Sequence, residues 1–276
     1  MTSETAGSPK ARRLAIAEAV IRKGSMSVED IARMSGVSTM TIYRDLVALE
    51  DSGVVQRHRG EVVALATGLH EADAEFRLEQ HCREKQAVGQ AGAALVPQGS
   101  SIMLDDSTTA IWLLRALPDP TSMTVVTNSL VVANEVVAAH SHSAKLIITG
   151  GEYQPWAHAM TGASVTGQLA SMHADFCFLS ASGVTHNGCY HPYQEVADVK
   201  RAMLLAAERK VLLLDHTKFS RRALFRFAEL SDFDQVIVDD GAQGAVIDAL
   251  RAREVPVRVA VRRPQPSAPR DQGRRP

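Results

Sequence analysis

The hydrophobic and polar positions of the chain follow two different periods in two successive regions. Near the amino terminus apolar residues recur every three or four positions, as in Ile42, Leu46 and Leu49, which is the period of an amphipathic helix. Beyond residue 98, short apolar and β-branched runs alternate with longer helical stretches. The pattern predicts a small helical domain followed by a larger α/β domain.

Three helices are predicted in the first region. An apolar stripe runs through residues 13–21, and Ser27 has the position and chemistry of the N-cap of a second helix. Gly36 can adopt the positive φ that a tight corner between two helices needs. Ser38 then caps a third helix over residues 39–51. Two short helices, a glycine turn and a third helix with a polar first turn are typical of a helix-turn-helix.

The third helix would enter the major groove of DNA by its N-terminal end. The residues expected to contact DNA from this helix are Ser38, Thr39, Thr41, Tyr43 and Arg44. Residues 54–65 form two strand-like pieces around a basic glycine turn, which predicts a β-hairpin wing with Arg57 and Arg59 on DNA phosphates. The alternative is a three-helix bundle that binds nothing, but cap, turn, polar face and basic wing occur here in the order of a DNA-binding domain.

Composition and charge add limits. The 276 residues are 45% hydrophobic, and the net charge of −1 divides into +2 over residues 1–60, −9 over 61–250 and +6 over 251–276. A charge of +2 is unremarkable, so the DNA partner is inferred from the motif. Three scattered cysteines without a CxxC pair fit a reducing compartment. Since no export signal or membrane span is apparent, we expect a cytoplasmic, nucleoid-associated protein that does not bind membranes.

Seven short apolar runs follow in the second region, separated by intervals long enough for helical crossovers. They lie at residues 101–104, 124–127, 145–149, 175–179, 211–215, 235–239 and 257–261. This spacing predicts a Rossmann-like, mainly parallel sheet covered by helices on both faces. No GxGxxG follows the first run, so nucleotide binding through that fingerprint is not expected.

Small and hydroxylated residues follow the first five runs, and in a parallel sheet these loops meet along one edge, where such sheets bind ligands. The residues expected to bind an effector are Asp105, Ser107, Thr108, Thr109, Thr127, Asn128, Gly150, Gly151, Ser182, Gly183, Glu195, Lys200, Asp215 and Lys218. We assign Asp105 to ligand hydroxyls, and Thr108 and Thr109 with their N–H groups to its polar or phosphate end, because N–H groups at helix N-termini bind anions. The expected ligand is small, rich in hydroxyls and anionic. The alternative is that strand ends simply need polar turn residues.

Other chemistry is less well supported by the residues. Neither His186 with His191 nor His140 with His142 has the spacing of a metal-binding motif, so no metal and no cofactor is expected. In a sugar-phosphate isomerase, Glu195, Asp105 and Lys218 could supply a general base and charge stabilisation. A catalyst, however, has no use for an N-terminal winged helix-turn-helix. A third possibility is a constitutive DNA-binding protein with a vestigial pocket.

The sequence from Thr41 to Leu46, with the helix before it and the wing after it, resembles the DeoR family of bacterial transcriptional regulators, whose recognition helix usually reads TIRRDL. Here Tyr43 replaces the first arginine, and Arg59 replaces the first wing glycine. The resemblance covers about residues 12 to 240. It includes a D-x-G-T-T motif at residues 105–109 with Ser107 in place of glycine, TN at 127–128, GG at 150–151, E-x-x-x-x-K at 195–200 and D-x-x-K-F at 215–219.

The resemblance implies a repressor of a carbohydrate-catabolism operon, controlled by a phosphorylated sugar that binds an effector domain similar to ribose-5-phosphate isomerase. Because one wing and helix read only a half-site of double-stranded operator DNA, a homodimer or homotetramer is expected. The expected organisation is a disordered N-terminus at residues 1–11, a winged helix-turn-helix at 12–66, a linker helix at 67–97, the sensor domain at 98–261 and a disordered tail at 262–276.

Overall fold

A computed structural model describes residues 8–65, 70–118, 123–140, 144–186 and 188–262. Most of the two ends that were expected to be disordered lies outside these ranges. Residues 8–11 and residue 262 lie within the described ranges and are ordered, contrary to that expectation. Helix α1 begins at Pro9, because Ser8 caps it by accepting a hydrogen bond from the Ala11 N–H. Arg262 is fixed at the other end, since its guanidinium donates to Glu84 at 2.9 Å.

The N-terminal domain has three helices and a small antiparallel sheet. Its elements are α1 (Pro9–Lys23), β1 (Ser25–Ser27), α2 (Val28–Ser35), α3 (Thr39–Asp51), β2 (Val55–His58) and β3 (Glu61–Ala64). Ser27 and Ser38 cap α2 and α3 by accepting hydrogen bonds from the backbone, and Gly36 has a φ of 66° between these helices. Strand β1, which was not predicted, pairs with β3 and gives the sheet the order β1-β3-β2. The winged helix-turn-helix architecture is confirmed.

The segment that joins the two domains is not one helix. It forms α4 (Ala74–Glu79) and α5 (Cys82–Ala93), and the chain breaks between them at His81, which has a left-handed φ of 51°. Helix α5 then packs closely against the sensor domain. A Cβ atom on Gly89 would lie 2.5 Å from the backbone carbon of Trp112, so only glycine allows this approach.

Seven parallel strands form the large sheet, and each corresponds to one of the seven apolar runs. They are β4 (Ser101–Leu104), β5 (Thr124–Thr127), β6 (Lys145–Ile148), β9 (Ala174–Leu179), β12 (Ala207–Leu214), β14 (Gln235–Asp239) and β15 (Val257–Ala260). Their order is β15-β14-β12-β9-β4-β5-β6. Neighbours in this order are parallel throughout, which confirms the α/β prediction. The order reverses between β4 and β9, so the ends of these two strands form a switch point.

Alternate residues of the central strands lie in two separate hydrophobic clusters, one on each face of the sheet. Met103 and Cys177 belong to one cluster, whereas Ile102, Leu104 and Phe178 belong to the other. The covering helices are α6 (Thr108–Ala116), α7 (Leu130–His140), α8 (Ala163–Ala170), α9 (Gln194–Leu205) and α10 (Gly244–Arg251). No helix within the described ranges is both long and apolar enough to span a membrane.

Two small antiparallel additions were not predicted. One is a hairpin of β7 (Glu152–Gln154) and β8 (Ala159–Thr161), and the other is a three-stranded sheet of β10 (Gly183–Thr185), β11 (Gly188–His191) and β13 (Phe225–Ala228). Short 3-10 helices follow β12 and β13, at His216–Ser220 and Leu230–Asp232. These pieces lie close to the carboxyl ends of the parallel strands and therefore shape the site described next.

Candidate DNA interface and effector site

The outward face of α3 carries most of the residues that were predicted to contact DNA. Thr39, Tyr43 and Arg44 are exposed, while Ile42 and Leu46 on the opposite face are fully buried. Ser38 is also exposed, but its hydroxyl is 3.1 Å from the half-buried Thr41 hydroxyl. The first two turns of α3 therefore present hydroxyls and a guanidinium to solvent, groups that can bind base edges and phosphates.

The wing contains two arginines with different environments. Arg59 and Gly60 both have positive φ, 51° and 86°, and form the two-residue turn that places Arg59 in solvent at the wing tip. The Arg57 side chain instead donates to Glu50 of α3, with Nε 2.9 Å from Oε2, and its guanidinium carbon lies 5.7 Å from the centre of the Tyr43 ring. Arg57 thus fixes the wing to α3 and is not the unpaired phosphate contact that the sequence predicts.

A small cavity lies at the switch point between the ends of β4 and β9. Its volume is about 30 Å³. Charged and polar residues line it: cationic Arg77, Lys85, Lys200, Lys218 and Arg221, acidic Glu71, Asp106 and Asp215, hydroxylated Ser107, Thr108, Thr109, Ser180 and Ser182, with Gln80, His81, Ala181 and His191. The predicted residues Ser107, Thr108, Thr109, Ser182, Lys200, Asp215 and Lys218 are among them.

Lys200 is held between two carboxylates beside this cavity. Its Nζ donates to Asp105 Oδ2 at 2.6 Å and to Asp106 Oδ1 at 3.0 Å, and its side chain is 3% exposed. Burial disfavours the charged amine, but the two carboxylates outweigh burial and raise the pKa of Lys200 above its usual value. Lys200 is therefore cationic, and its charge is already matched inside the protein.

Asp105 does not line the cavity, contrary to its expected contact with sugar hydroxyls. Besides Lys200, its carboxylate accepts the N–H of Ser107 at 3.0 Å and the N–H of Ser180 at 2.9 Å. These bonds join the loop after β4 to the loop after β9. Asp105 consequently holds the two strand ends together and positions the residues around the cavity.

Helix α6 begins at the cavity. Ser107 is its N-cap, with an extended φ of −75°, and its hydroxyl accepts the Ala110 N–H at 3.3 Å. Thr108 and Thr109 occupy the first turn, where backbone N–H groups lack partners within the helix and favour an anion. The family pattern D-x-G-T-T has glycine at position 107. Because φ is negative there, the backbone does not need glycine, and Ser107 serves as the N-cap of α6.

The charged pair after β12 completes the cavity. Asp215 caps the 3-10 helix that follows it by accepting the Thr217 N–H at 3.1 Å, and the Lys218 Nζ is 3.9 Å from its other carboxylate oxygen. Burial disfavours ionisation of Asp215, but Lys218 outweighs burial and lowers the pKa of Asp215 below its usual value. Burial lowers the pKa of Lys85, which also lines the cavity, to about 7.

Six residues predicted to bind the effector do not line the cavity: Thr127, Asn128, Gly150, Gly151, Gly183 and Glu195. Asn128 Nδ2 donates to the Met160 carbonyl at 2.8 Å, and a Cβ on Gly151 would lie 2.5 Å from the Thr161 carbonyl oxygen. The Thr127 hydroxyl accepts the Ser129 N–H at 3.0 Å. Asn128 and Gly151, one from each of the motifs TN and GG, therefore contact the β7–β8 hairpin.

The other three have separate positions. The Gly150 backbone exchanges hydrogen bonds with the Gln168 side chain of α8, and Glu195 is half-buried in the first turn of α9. A Cβ on Gly183 would lie 2.7 Å from the Arg221 carbonyl oxygen. Glycine there allows β10 to approach the loop that carries Arg221 to the cavity.

The connecting segment contributes residues that sequence reasoning left out of the site. Arg77 lies in α4, and its Nε donates to the Ala72 carbonyl at 3.0 Å. Lys85 donates to the Arg77 carbonyl across the break at His81. A signal for Lys85 was present, because it precedes Val88 by three positions and thus lies on the apolar face of α5.

Aromatic side chains border the cavity beneath the β7–β8 hairpin. The Trp156 ring stacks with His191 at 6.1 Å and lies 4.7 Å from the Tyr193 ring. The Trp156 carbonyl accepts the N–H of Ala74 at 2.9 Å, which joins the hairpin to the start of α4. Burial lowers the pKa of His191 to about 4, so this imidazole is neutral near pH 7. Within the described ranges, no three histidines, cysteines or carboxylates are grouped as metal ligands would be.

Comparison with known proteins matches both domains to one family. The model of the DeoR C terminal sensor domain matches residues 80–240, which is more than half of the chain. The model of the DeoR-like helix-turn-helix domain matches residues 12–67. The first match covers α5 and the large sheet from β4 to β14, and the second covers the three N-terminal helices and the wing.

Full-length relatives agree with these matches. The chain is 34% identical to the uncharacterized HTH-type transcriptional regulator YgbI of Escherichia coli over 91% of this chain and 98% of that protein. It is 29% identical to the HTH-type transcriptional repressor GlcR of Bacillus subtilis, over 87% of this chain and 92% of that protein. The glycerol-3-phosphate regulon repressor of Escherichia coli is also 29% identical, over 87% and 94%.

These proteins are transcriptional regulators and not enzymes, so the expectation of a regulator over an isomerase is confirmed. The chain belongs to the DeoR family of transcriptional regulators, with a helix-turn-helix domain that binds DNA and a C-terminal sensor domain.

Proposed function

We propose that the protein represses a carbohydrate-catabolism operon and that a phosphorylated sugar bound at the switch-point cavity controls it. The observation that carries this proposal is the cavity lining. Four basic side chains besides the paired Lys200, the first turn of α6 and five hydroxylated residues surround one small space, as recognition of an anion that carries hydroxyl groups would require. The name of one relative, the glycerol-3-phosphate regulon repressor, supports control linked to a small phosphorylated compound.

The exposed groups of α3 and the wing support binding to double-stranded operator DNA. Arg44 is assigned to base edges and Arg59 to phosphates. A single domain of this kind reads only a half-site, and paired half-sites call for a homodimer or a homotetramer. The protein acts in the cytoplasm, on the nucleoid.

Control requires the effector to bind one domain arrangement more tightly than the other. A change from mostly bound to mostly released DNA needs a ratio of affinities approaching roughly 10⁴. We assign the effector the releasing role, so that the sugar phosphate weakens operator binding and induces the operon.

Fluorescence polarisation tests the proposal. The full chain is titrated onto a labelled duplex from the DNA upstream of its own operon, with and without glucose 6-phosphate, fructose 6-phosphate, ribose 5-phosphate and glycerol 3-phosphate. The corresponding unphosphorylated compounds serve as controls. We expect one phosphorylated compound to weaken specific binding at least tenfold. If no phosphorylated compound alters binding while the protein isomerises ribose 5-phosphate, the proposal is wrong.

A further inference from the structure

The cavity already contains an anion that belongs to the chain itself. Glu71 lies in the connecting segment, between the end of β3 at Ala64 and the start of α4. Its side chain is 6% exposed, it lines the cavity, and one of its carboxylate oxygens is 3.9 Å from the Arg77 Nε. A hydrogen bond from Ser182 and the charge of Lys218 also act on it.

The carboxyl group of Glu71 is ionised in this position. Burial opposes its charge, but Arg77 and Lys218 outweigh burial and lower its pKa to about 2. The Nη2 of Arg77 is buried without a hydrogen-bond partner among the described residues, so the guanidinium keeps a free donor at the cavity. The surroundings of Glu71 are therefore those of a bound anionic ligand, with spare capacity for one that carries more oxygens.

The volume of the cavity also indicates that part of its wall must move to admit the effector. A cavity of about 30 Å³ holds roughly two water molecules, far less than a sugar phosphate occupies. The strand ends cannot readily withdraw, because Asp105 joins the loops after β4 and β9 and binds Lys200. The connecting segment lies outside these bonded strand ends and contacts both domains, through the Asp73 N–H to the Ser52 carbonyl at 3.1 Å and the Ala74 N–H to the Trp156 carbonyl at 2.9 Å. It supplies Glu71 and Arg77, so it is the wall that can move.

We infer that Glu71 is an internal competitor of the effector: its carboxylate occupies the subsite, formed with Arg77, Lys218 and Ser182, that takes the effector's phosphate group. A phosphate that enters this subsite expels Glu71 and displaces the connecting segment that leads to the DNA-binding domain. The inference rests on the proposed function, since it assumes a phosphorylated ligand. Beyond that function, it identifies the subsite for the phosphate group and the connecting segment as the part of the chain that moves when the ligand binds.

The test compares Glu71→Gln with Glu75→Gln, a charge-matched control on the exposed face of α4. Both are made in the full chain with Trp112→Phe, which leaves Trp156, beside Arg77 and Ala74, as the single tryptophan. Inorganic phosphate and the four phosphorylated compounds above are titrated against Trp156 fluorescence. If Glu71 fills the subsite in nine-tenths of the molecules, its removal strengthens phosphate binding about tenfold. Glu75→Gln leaves the affinity unchanged.

The outcomes separate the inference from the function it rests on. Glu71→Gln could bind phosphate no more tightly than the wild-type protein, while the wild-type protein still responds to a sugar phosphate. That result overturns the inference that Glu71 is a competitor and leaves the proposed function intact. Absence of phosphate binding by both proteins removes the proposed function as well. Hydrogen exchange of the wild-type protein gives a second measurement that needs no variant. Saturating inorganic phosphate should increase amide hydrogen exchange in residues 72–80. Unchanged exchange there contradicts the expulsion of Glu71 from the subsite.

Discussion

Replacing Lys200 by methionine should strongly destabilise the sensor domain. The Lys200 side chain is 3% exposed and binds Asp105 at 2.6 Å and Asp106 at 3.0 Å. Methionine fills a similar volume without a charge, so two buried carboxylates would lose their cation. Removal of one partner from a buried ion pair costs about 3–5 kcal/mol. For a domain of this size that corresponds to a fall in Tm of roughly 6–20 °C.

Arg115→Met is the matched control. Arg115 also binds a carboxylate, Glu135, at 2.7 Å, but the two side chains are 40% and 23% exposed. Exposed pairs contribute about 0–1 kcal/mol, so this variant should lose less than about 4 °C. Urea unfolding followed by circular dichroism gives both free energies of unfolding. A Lys200→Met variant that loses no more stability than Arg115→Met would refute the reasoning.

The pH dependence of this loss supplies an independent check. In the wild-type protein burial opposes ionisation of Asp106, but Lys200 outweighs burial and lowers its pKa, so this stabilisation is present above the usual aspartate pKa near 4 and is lost as pH falls. In Lys200→Met, burial without a cation should raise the pKa of Asp106, and the folded variant then binds a proton that the unfolded chain does not. The deficit in stability should therefore be largest at pH 8 and shrink towards pH 5. A deficit independent of pH contradicts this account.

Three further predictions concern binding. Arg44→Ala should weaken specific operator binding by about 5- to 150-fold in a polarisation assay and leave sugar-phosphate affinity intact, because Arg44 is exposed on α3; loss of both would identify a structural arginine. Lys218→Ala should bind operator normally but resist release by the effector, and normal release would exclude Lys218 from the phosphate site. Burial lowers the Lys85 pKa to about 7, and a bound phosphate dianion should raise it, so binding takes up a proton and weakens as pH rises from 7 to 9. Calorimetry in two buffers of different ionisation heat measures this uptake, and a value of zero would contradict it.

Local signals allowed the elements to be predicted where one period or one cap dominates. Ser38 caps a helix at Thr39–Asp51, as its hydroxyl and the following apolar stripe indicated. The seven apolar runs became seven strands because strands buried on both faces have few polar positions. Ser107, Thr108 and Thr109 could be placed at the site for the related reason that a parallel sheet brings its carboxyl ends together.

The rest of the site depends on contacts between distant segments, which periodicity does not contain. Asp105 looked like a ligand-binding carboxylate, but its partners Ser180 and Lys200 are 75 and 95 positions away. Asn128 was also expected to bind the ligand. Its amide instead donates to the Met160 carbonyl, in a hairpin that the sequence pattern did not predict. Glu71 stood in the predicted linker helix without a motif of its own, and only its burial at the cavity identifies it.

The bond between the loops after β4 and β9 also has a consequence for biosynthesis. The DNA-binding domain ends near residue 65 and has a hydrophobic core of its own, whereas the sensor site needs Asp105, Ser180, Lys200 and Lys218 together. Translation proceeds at about 5–20 residues per second, so a nascent chain carries a complete DNA-binding domain for roughly 8–30 s before its sensor site can form. During that interval the ribosome-bound chain has a helix-turn-helix domain but no assembled sensor site.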